Sequence, residues 1–364
     1  MSRDKKVVVG MSGGVDSSVA ACLLYEQGYY VIGVTMQIWQ DECRAVKDAT
    51  GGCCGFSGAA DARRAAAAIG IPHFVVDFRD VFRESVIEPF VSAYKSGNTP
   101  NPCILCNTYV KWQAMLEYAL SIGADHIATG HYARIGRLEN GRYAVRRSVT
   151  AQKDQTYALY GIGQEELAHT LMPIGDYTKD QVRQIARERG LPVADKPDSQ
   201  EICFVPDNDH ARFIEEYTGE KALPGDLVDR DQRVLGRHKG IINYTIGQRK
   251  GLGISAGHPV FVTEIRPETN EVVIGESEEL FGRTVYCNDV VMMGLPRFED
   301  GMSLTGKIRY SHKGAPCRVY DCGGVLRCEF EEPVRAATPG QALVLYCGEY
   351  VAGGGTIIRK PAAP

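Results

Sequence analysis

Residues 10–18, Gly-Met-Ser-Gly-Gly-Val-Asp-Ser-Ser, combine backbone freedom with hydroxyl and carboxylate groups, and they separate an apolar run at 7–9 from a helix-like run at 19–25. A glycine-rich turn lets successive N–H groups close on an anion. The helix that follows adds unpaired donors and the positive end of its dipole. Such a junction can hold phosphate. The Gly-Lys-Ser/Thr ending of a Walker loop is missing, so no lysine of this segment reaches a terminal phosphate. A grip on pyrophosphate instead suits cleavage of ATP between its first and second phosphates, with Asp16 a candidate Mg2+ ligand. An ordinary turn with a Ser/Asp helix cap is the plainer alternative.

Sulfur chemistry is the second theme. Residues 99–107, Thr-Pro-Asn-Pro-Cys-Ile-Leu-Cys-Asn, are rich in turn formers, and residues before proline are pushed out of helical geometry. An irregular loop presenting Cys103 and Cys106 is predicted. Residues 125–134 carry Thr129-Gly130-His131-Tyr132, where Gly130 permits close backbone approach to a ligand. Residues 195–206 bring Cys203 and Phe204, far along the chain from Cys106. Thiolates are the reactive forms, so these cysteines need a helix terminus, a base or a cation nearby, and His131 is a candidate neighbour. Taken alone, Cys103-x-x-Cys106 fits a redox pair, half of a zinc site, or two unrelated thiols.

These groups need a scaffold. Apolar runs at 7–9, 30–35, 73–77 and 126–130 read as buried strands, and segments 17–27, 57–69, 81–94 and 110–122 read as helices. Ser57 is a candidate cap for the second, which stops at Gly70 with Pro72 beyond. Helices at 165–169 and 179–190 extend the pattern. Alternation of this kind predicts an α/β domain with a parallel sheet and a ligand site at the carboxyl ends of its strands. After Pro206 the pattern loosens into a small mixed domain. From Leu280 onward, alternating runs at 303–309, 315–320, 325–329 and 342–346 predict a β-barrel. The expected division is 1–205, 206–278 and 279–364.

With 364 residues and a net charge of -4, the chain has no global pull toward nucleic acid, so RNA contact must come from local patches. Arg134, Arg137, Arg142, Arg146 and Arg147 have only Glu139 in opposition. Lys307, Arg309, His312, Lys313 and Arg318 interleave with Tyr310 and Tyr320, which suits a single-stranded loop. Arg237, His238, Lys239, Arg249 and Lys250 could dock RNA or a sulfur donor. No apolar run has the length of a membrane span and no signal-peptide pattern opens the chain, so no membrane partner and a cytoplasmic location are expected. Twelve cysteines there read as thiols or ligands rather than a disulfide framework. Cys53-Cys54 reads as incidental, and Cys317, Cys322, Cys328 and Cys347 as buried apolar thiols.

In their order and spacing these motifs resemble the tRNA-specific 2-thiouridylases of the ATP pyrophosphatase-loop superfamily, nearly end to end. The resemblance implies a pyrophosphatase-type N-terminal domain, a small central domain and a C-terminal barrel. It implies ATP-dependent 2-thiolation of the tRNA wobble uridine, in which O2 is adenylated and then displaced by sulfur. ATP would lie on Gly10, Met11, Ser12, Gly13, Gly14, Val15, Asp16, Ser17, Met36 and Gly130. Cys203 would carry a persulfide delivered by a donor protein, and Cys106 would be the partner thiol that ends in a disulfide with it. The tRNA anticodon loop would meet Asn101, Pro102, Cys103, His131, Lys153, Asp154, Gln155, Arg309, Tyr310 and Gln341. One position departs from the pattern: many relatives read Asn-Pro-Asp where this chain has Asn101-Pro102-Cys103. The change removes a proton acceptor and offers Cys103, Cys106 and Cys203 as ligands for a 4Fe-4S cluster with one open iron. Three alternatives therefore stay open: the same reaction through such a cluster, a carboxylate-adenylating synthetase of the same loop family, and a tRNA-binding or sulfur-carrier module that has lost adenylation. The synthetase would need neither paired thiols nor a barrel, and intact Ser12, Asp16 and Ser17 oppose the module.

Overall fold

The structure, a computed structural model, describes residues 5–39, 56–197 and 202–361, with Phe56 and Ser57 described by backbone alone. The chain divides into two compact units, one of Met1–Ile87, Pro102–Asn208 and Glu349–Val351, the other of Glu88–Asn101, Asp209–Gly348 and Ala352–Pro364.

The first unit holds β1 (Lys6–Gly10), β2 (Tyr30–Gln37), β3 (His73–Asp77), β4 (His126–Ala128), a hairpin of β5 (Ala133–Arg137) and β6 (Tyr143–Arg147), and β7 (Thr170–Leu171). Five of these form a parallel sheet in the order β3-β2-β1-β4-β7. Val7, Val8 and Val9 are fully buried because the central strand is covered on both faces, which is why it reads as unbroken apolar sequence. Helix α1 (Val15–Glu26) buries Val19, Ala20 and Leu24, and α2 (Phe56–Ile69) lies close through Ala62, Ala65 and Ala66. Chain direction across the sheet reverses between β1 and β4, so a crevice opens at their carboxyl ends.

Beyond β3 the chain runs through α3 (Arg79–Phe82) and a π-helical turn (Arg83–Ile87) to α4 (Glu88–Lys95), where one unbroken α-helix was expected. The expected irregular loop is a larger departure. Helix α5 (Pro102–Leu105) starts at a proline, widens into a π-helix (Cys106–Ala114), and narrows again as α6 (Met115–Ser121). Proline at a first helical position loses nothing, since its absent N–H would have no intrahelical partner there. Two further helices complete this unit, α7 (Gln164–Ala168) and α8 (Lys179–Glu188), the second closed by a reciprocal capping box between Thr178 and Gln181.

In the second unit, α4 meets α9 (His210–Thr218), a helix that was not expected and that Asp209 caps. Phe90 lies 6.2 Å from the Phe213 ring, and Tyr94 stacks on His210 at 4.4 Å. A sheet follows, built from β8 (Gly225–Val228), β9 (Val234–His238), β10 (Phe261–Arg266) and β11 (Glu271–Gly275) in the order β10-β11-β8-β9. The barrel consists of β12 (Phe281–Met292), β13 (Met302–Lys307), β14 (Ala315–Asp321), β15 (Leu326–Arg335), β16 (Ala342–Cys347) and β17 (Tyr350–Ile358). Pairing of β12 with both β15 and β17 closes it. Three glycines, 353–355, hide β17 from a sequence reading. They are there for close approach: a Cβ on Gly353 would lie 2.4 Å from Val291 O, and one on Gly355 2.5 Å from Asn288 O. Inside the barrel Cys287, Cys317 and Cys328 are buried with Leu304, Phe330 and Leu345. Burial pushes the Cys287 thiol up to about 12, and a hydrogen bond with Cys317, followed by burial, raises Cys328. Cys322 and Cys347 depart from expectation, since both are exposed at strand ends. No helix among the described residues is long and apolar enough to cross a membrane.

Gly353→Ala should therefore destabilise the barrel by about 1–3 kcal/mol, the usual cost of overpacking against an element that cannot yield. Thermal melting reads the loss. Gly282→Ala, which meets nothing within 4 Å, is the control and should leave the transition in place.

Candidate active site at the carboxyl edge of the parallel sheet

Three strand ends line the crevice. β1 delivers Gly10 into the loop, β2 delivers Met36, and β4 delivers Thr129, Gly130 and His131. Within the loop Ser12 N donates to Ser17 Oγ at 3.3 Å, while Ser17 Oγ and Ser18 Oγ donate to Gly14 O at 3.3 and 2.9 Å. Gly13 adopts φ +74° and a Cβ there would lie 2.2 Å from Gly58 O, so the turn requires glycine. Gly130 is closed in as well, because its Cβ would lie 2.5 Å from Ser17 N and 2.6 Å from Asp16 C. Gly10 sits beside Met36, whose Cε would be 3.4 Å from an added Cβ. Met11 and Val15 are buried in the core, so they can serve a ligand through backbone only. Thr35 Oγ1 donates to Met11 O at 2.7 Å, which leaves His73 Nε2 as donor to Thr35 at 2.9 Å.

Asp16 sits in the first turn of α1 under a dense grip. Tyr132 Oη donates to its Oδ1 at 2.8 Å, and Lys179 Nζ donates to both of its oxygens at 2.8 Å. Lys196 Nζ donates to Gly13 O at 3.1 Å and to Asp61 Oδ2 at 2.6 Å, and this bond is the first cause holding the Asp61 carboxyl low. The loop thus receives two lysines from positions that its own wording does not contain, and no local signal could have found them. One carboxylate beside a phosphate loop is a donor set that Mg2+ uses together with phosphate oxygens and water, so Asp16 fits that metal once Lys179 yields.

The segment 153–155 is tied to the same network. Gln155 Oε1 accepts from Tyr132 N at 2.8 Å, and Asp154 Oδ1 accepts from Thr156 N at 2.8 Å at the start of a 3-10 turn (Thr156–Leu159). Gln155, expected to face a base, therefore braces Tyr132, and through it Asp16.

Both sulfur segments lie in this unit. Cys103 is exposed on α5, whereas Cys106 is buried where the helix widens, and Cys203 is exposed. Phe204, next to Cys203, lies edge-on to Phe82 at 5.6 Å, and α3, which carries Phe82, packs against the π-helix that opens with Cys106. A common short helix meets both. Among the described residues no three His, Cys, Asp or Glu groups are gathered to hold a metal, so Cys103, Cys106 and Cys203 do not form the ligand set of a cluster here. Cys53, Cys54 and residues 198–201 lie outside the described residues. His131 Nδ1 bonds Thr129 Oγ1 at 2.8 Å, and its ring lies 5.2 Å from that of Trp112. Burial, and then the charge of Lys111, hold it well below the ordinary imidazole range, so it stands neutral. Asn107 locks the helix by donating to Ala158 O at 2.9 Å and accepting from Lys111 Nζ at 3.0 Å.

The basic stripes are less free than their sequence suggests. Arg146 pairs with Glu349 at 2.5 Å, and Arg134 lies 3.5 Å from Asp176 and 3.7 Å from Glu349, so acids remote in sequence oppose the β5–β6 ribbon. In the second unit, Arg309 Nη1 donates to Arg335 O at 2.7 Å and Gln341 Nε2 to Thr99 O at 2.8 Å. Tyr310 is 49% exposed, with the Lys307 ammonium 6.0 Å from its ring centre. Asn101 falls in this second unit, whereas Pro102 opens α5 in the first.

A parallel sheet with a phosphate-type loop, followed by a small domain and a closed barrel, defines the class. Residues 5–207 match the family described as the tRNA methyl transferase HUP domain, 211–276 its PRC-barrel domain, and 283–357 the aminomethyltransferase beta-barrel domain. The chain is 59% identical to the tRNA-specific 2-thiouridylase MnmA of Lachnoclostridium phytofermentans, over 98% of this chain and 100% of that one. It is 54% identical to the MnmA of Acetivibrio thermocellus, over 97% and 99%, and 51% identical to that of Clostridioides difficile, over 99% and 100%. The chain belongs to the tRNA-specific 2-thiouridylase family.

Gly130→Ala should push β4's loop off α1 and weaken ATP binding about tenfold or more, the equivalent of roughly 1.4 kcal/mol, in calorimetric titration of a still-folded protein. A pH effect follows from the imidazoles. His73, His126, His131, His210, His238 and His312 are all held below their ordinary 6.5, each first by burial. The unfolded chain then takes up protons first as pH falls, so stability is full above 6.5 and declines below it until the folded groups titrate. For His131 the decline is at most about 1.4 kcal/mol per pH unit. Melting temperatures should drop between pH 6.5 and 5, and a rise would contradict the assignment of neutral imidazoles.

Proposed function

We propose that the chain is an ATP-dependent tRNA uridine 2-sulfurtransferase acting on the wobble base in the anticodon loop. The loop 10–17 holds the polyphosphate by its N–H groups, and Met36 and Gly130 wall the adenosine. Uridine O2 attacks the α-phosphorus, the bond to the β-phosphate breaks with its electron pair leaving on pyrophosphate, and N3 gives up its proton. Magnesium, held by Asp16 and phosphate oxygens, would screen phosphate charge when bound. Sulfur completes the exchange. The outer sulfur of a Cys203 persulfide, supplied by a donor protein, attacks C2 and AMP departs. Cys106 thiolate then attacks Cys203 Sγ, which leaves 2-thiouridine on the tRNA and a Cys106–Cys203 disulfide that an external thiol reduces.

One observation carries most of the support: the Cys106 helix packs against α3, and Phe204, next to Cys203, packs on Phe82 of that same short helix, in the same unit as the phosphate-type loop. The persulfide route is preferred to the cluster route because the three thiols are not gathered as ligands. Cys103, exposed on α5, would face the base without the proton acceptor that a carboxylate provides. Residues 1–205 would do the chemistry, while 206–278 and 279–364 hold the tRNA, the last through the exposed Tyr310 beside Lys307. Its substrate makes the cytoplasm the working compartment.

Thiolation of a tRNA transcript with a persulfide donor tests this function. Cys203→Ala should abolish 2-thiouridine while tRNA affinity stays within about twofold, since the change touches only the transfer step. Asp16→Ala should block release of pyrophosphate. Full activity of the first variant would remove Cys203 from the mechanism, and unaltered ATP use by the second would refute the loop assignment.

A further inference from the structure

The β1–α1 loop carries no lysine, yet two ammonium groups reach it from distant segments, and their partners differ in kind. Lys196 holds a backbone carbonyl of the loop, Gly13 O, together with Asp61 from α2. That pattern braces the loop. Lys179 instead holds a loop side chain, with Nζ 2.8 Å from both oxygens of Asp16. It does so at the N-terminal turn of α1, where helix N–H groups and the dipole favour an anion. Its backbone is fixed, because Thr178 and Gln181 cap α8 reciprocally and α8 packs against α1. Tyr132 Oη fixes the carboxylate from the other side. Side-chain exposures of 14% for Lys179 and 29% for Asp16 leave the pair within reach of a ligand but only partly screened by water.

We propose that Lys179 is the cation that binds the β- and γ-phosphates of ATP, supplied from another helix in place of the lysine the loop lacks. This rests on the loop being the ATP site. Asp16 keeps the ammonium aimed at the loop, so little ordering remains when nucleotide arrives. Coulomb attraction scales with charge, and a triphosphate tail carries several negative charges against one on Asp16, so the ammonium transfers to phosphate. Lys196 stays in place as the brace.

The test uses the full chain and calorimetric titration with ATP and with AMP, which lacks the two outer phosphates. Lys179→Met should weaken ATP binding by about 10- to 100-fold while AMP affinity stays within about threefold, and Lys179→Arg should recover part of the loss. Should the Met variant melt far below the parent, Lys179→Gln, which keeps a donor for Asp16, takes its place with the same expectation. Lys196→Met should weaken both nucleotides together. Unchanged ATP affinity in the Lys179 variants, or equal loss of ATP and AMP, overturns the proposal. Failure of the unaltered chain to bind ATP would overturn the loop assignment itself and this proposal with it.

Discussion

There is no room for a side chain at Gly130, and that constraint organises the first unit. Its backbone lies against the peptide joining Asp16 to Ser17, which brings the end of β4 onto the start of α1. Everything around follows from this approach. Tyr132, two residues on, can then reach Asp16, and Gln155 can hold Tyr132. His131, on the other side, lies against Trp112 in the helix that Cys106 opens. A single close backbone contact thus couples the phosphate-type loop to the segment expected near the base and to one of the two thiols.

Neutrality and charge are divided sharply across this region. Around the loop, charge is paired: Asp16 with Lys179, and Asp61 with Lys196 and Arg64, each pair well within hydrogen-bonding distance. Around His131, burial and a nearby ammonium remove charge from the imidazole. The polyanionic nucleotide and uncharged uracil ring of the proposed reaction would ask for opposite surroundings, and a charged and a neutral environment lie close together in this unit. Partly desolvated pairs also matter more than surface ones, because water screens them less.

What could be read from sequence follows from the range of the forces involved. The strands around Val7–Val9 and the glycine loop were legible because unbroken apolar runs and Gly-Gly turns encode local requirements. Pro102 was misread: a proline that signals a loop in most contexts is equally at home in a first helical turn. Gly353 and Gly355 were passed over for the same kind of reason, since glycine marks close approach as readily as flexibility. Helix α9 spans only His210–Thr218 and carries too short a period to stand out. The pairing of Lys179 with Asp16 joins residues 163 positions apart, and Glu349 opposes Arg146 across 203. Contacts of that reach leave no trace in the spacing of a single chain.

Burial of the barrel sulfurs has a practical side. Cys22, Cys287, Cys317 and Cys328 are shielded from solvent, and burial or a neighbouring thiol keeps Cys22, Cys287 and Cys328 protonated above the usual thiol range. An alkylating reagent applied to the native enzyme meets Cys103, Cys203, Cys322 and Cys347 at the surface and leaves that inner set untouched. Mass tagging before and after denaturation would therefore report on the barrel itself, its buried sulfurs serving as an internal standard for an intact fold.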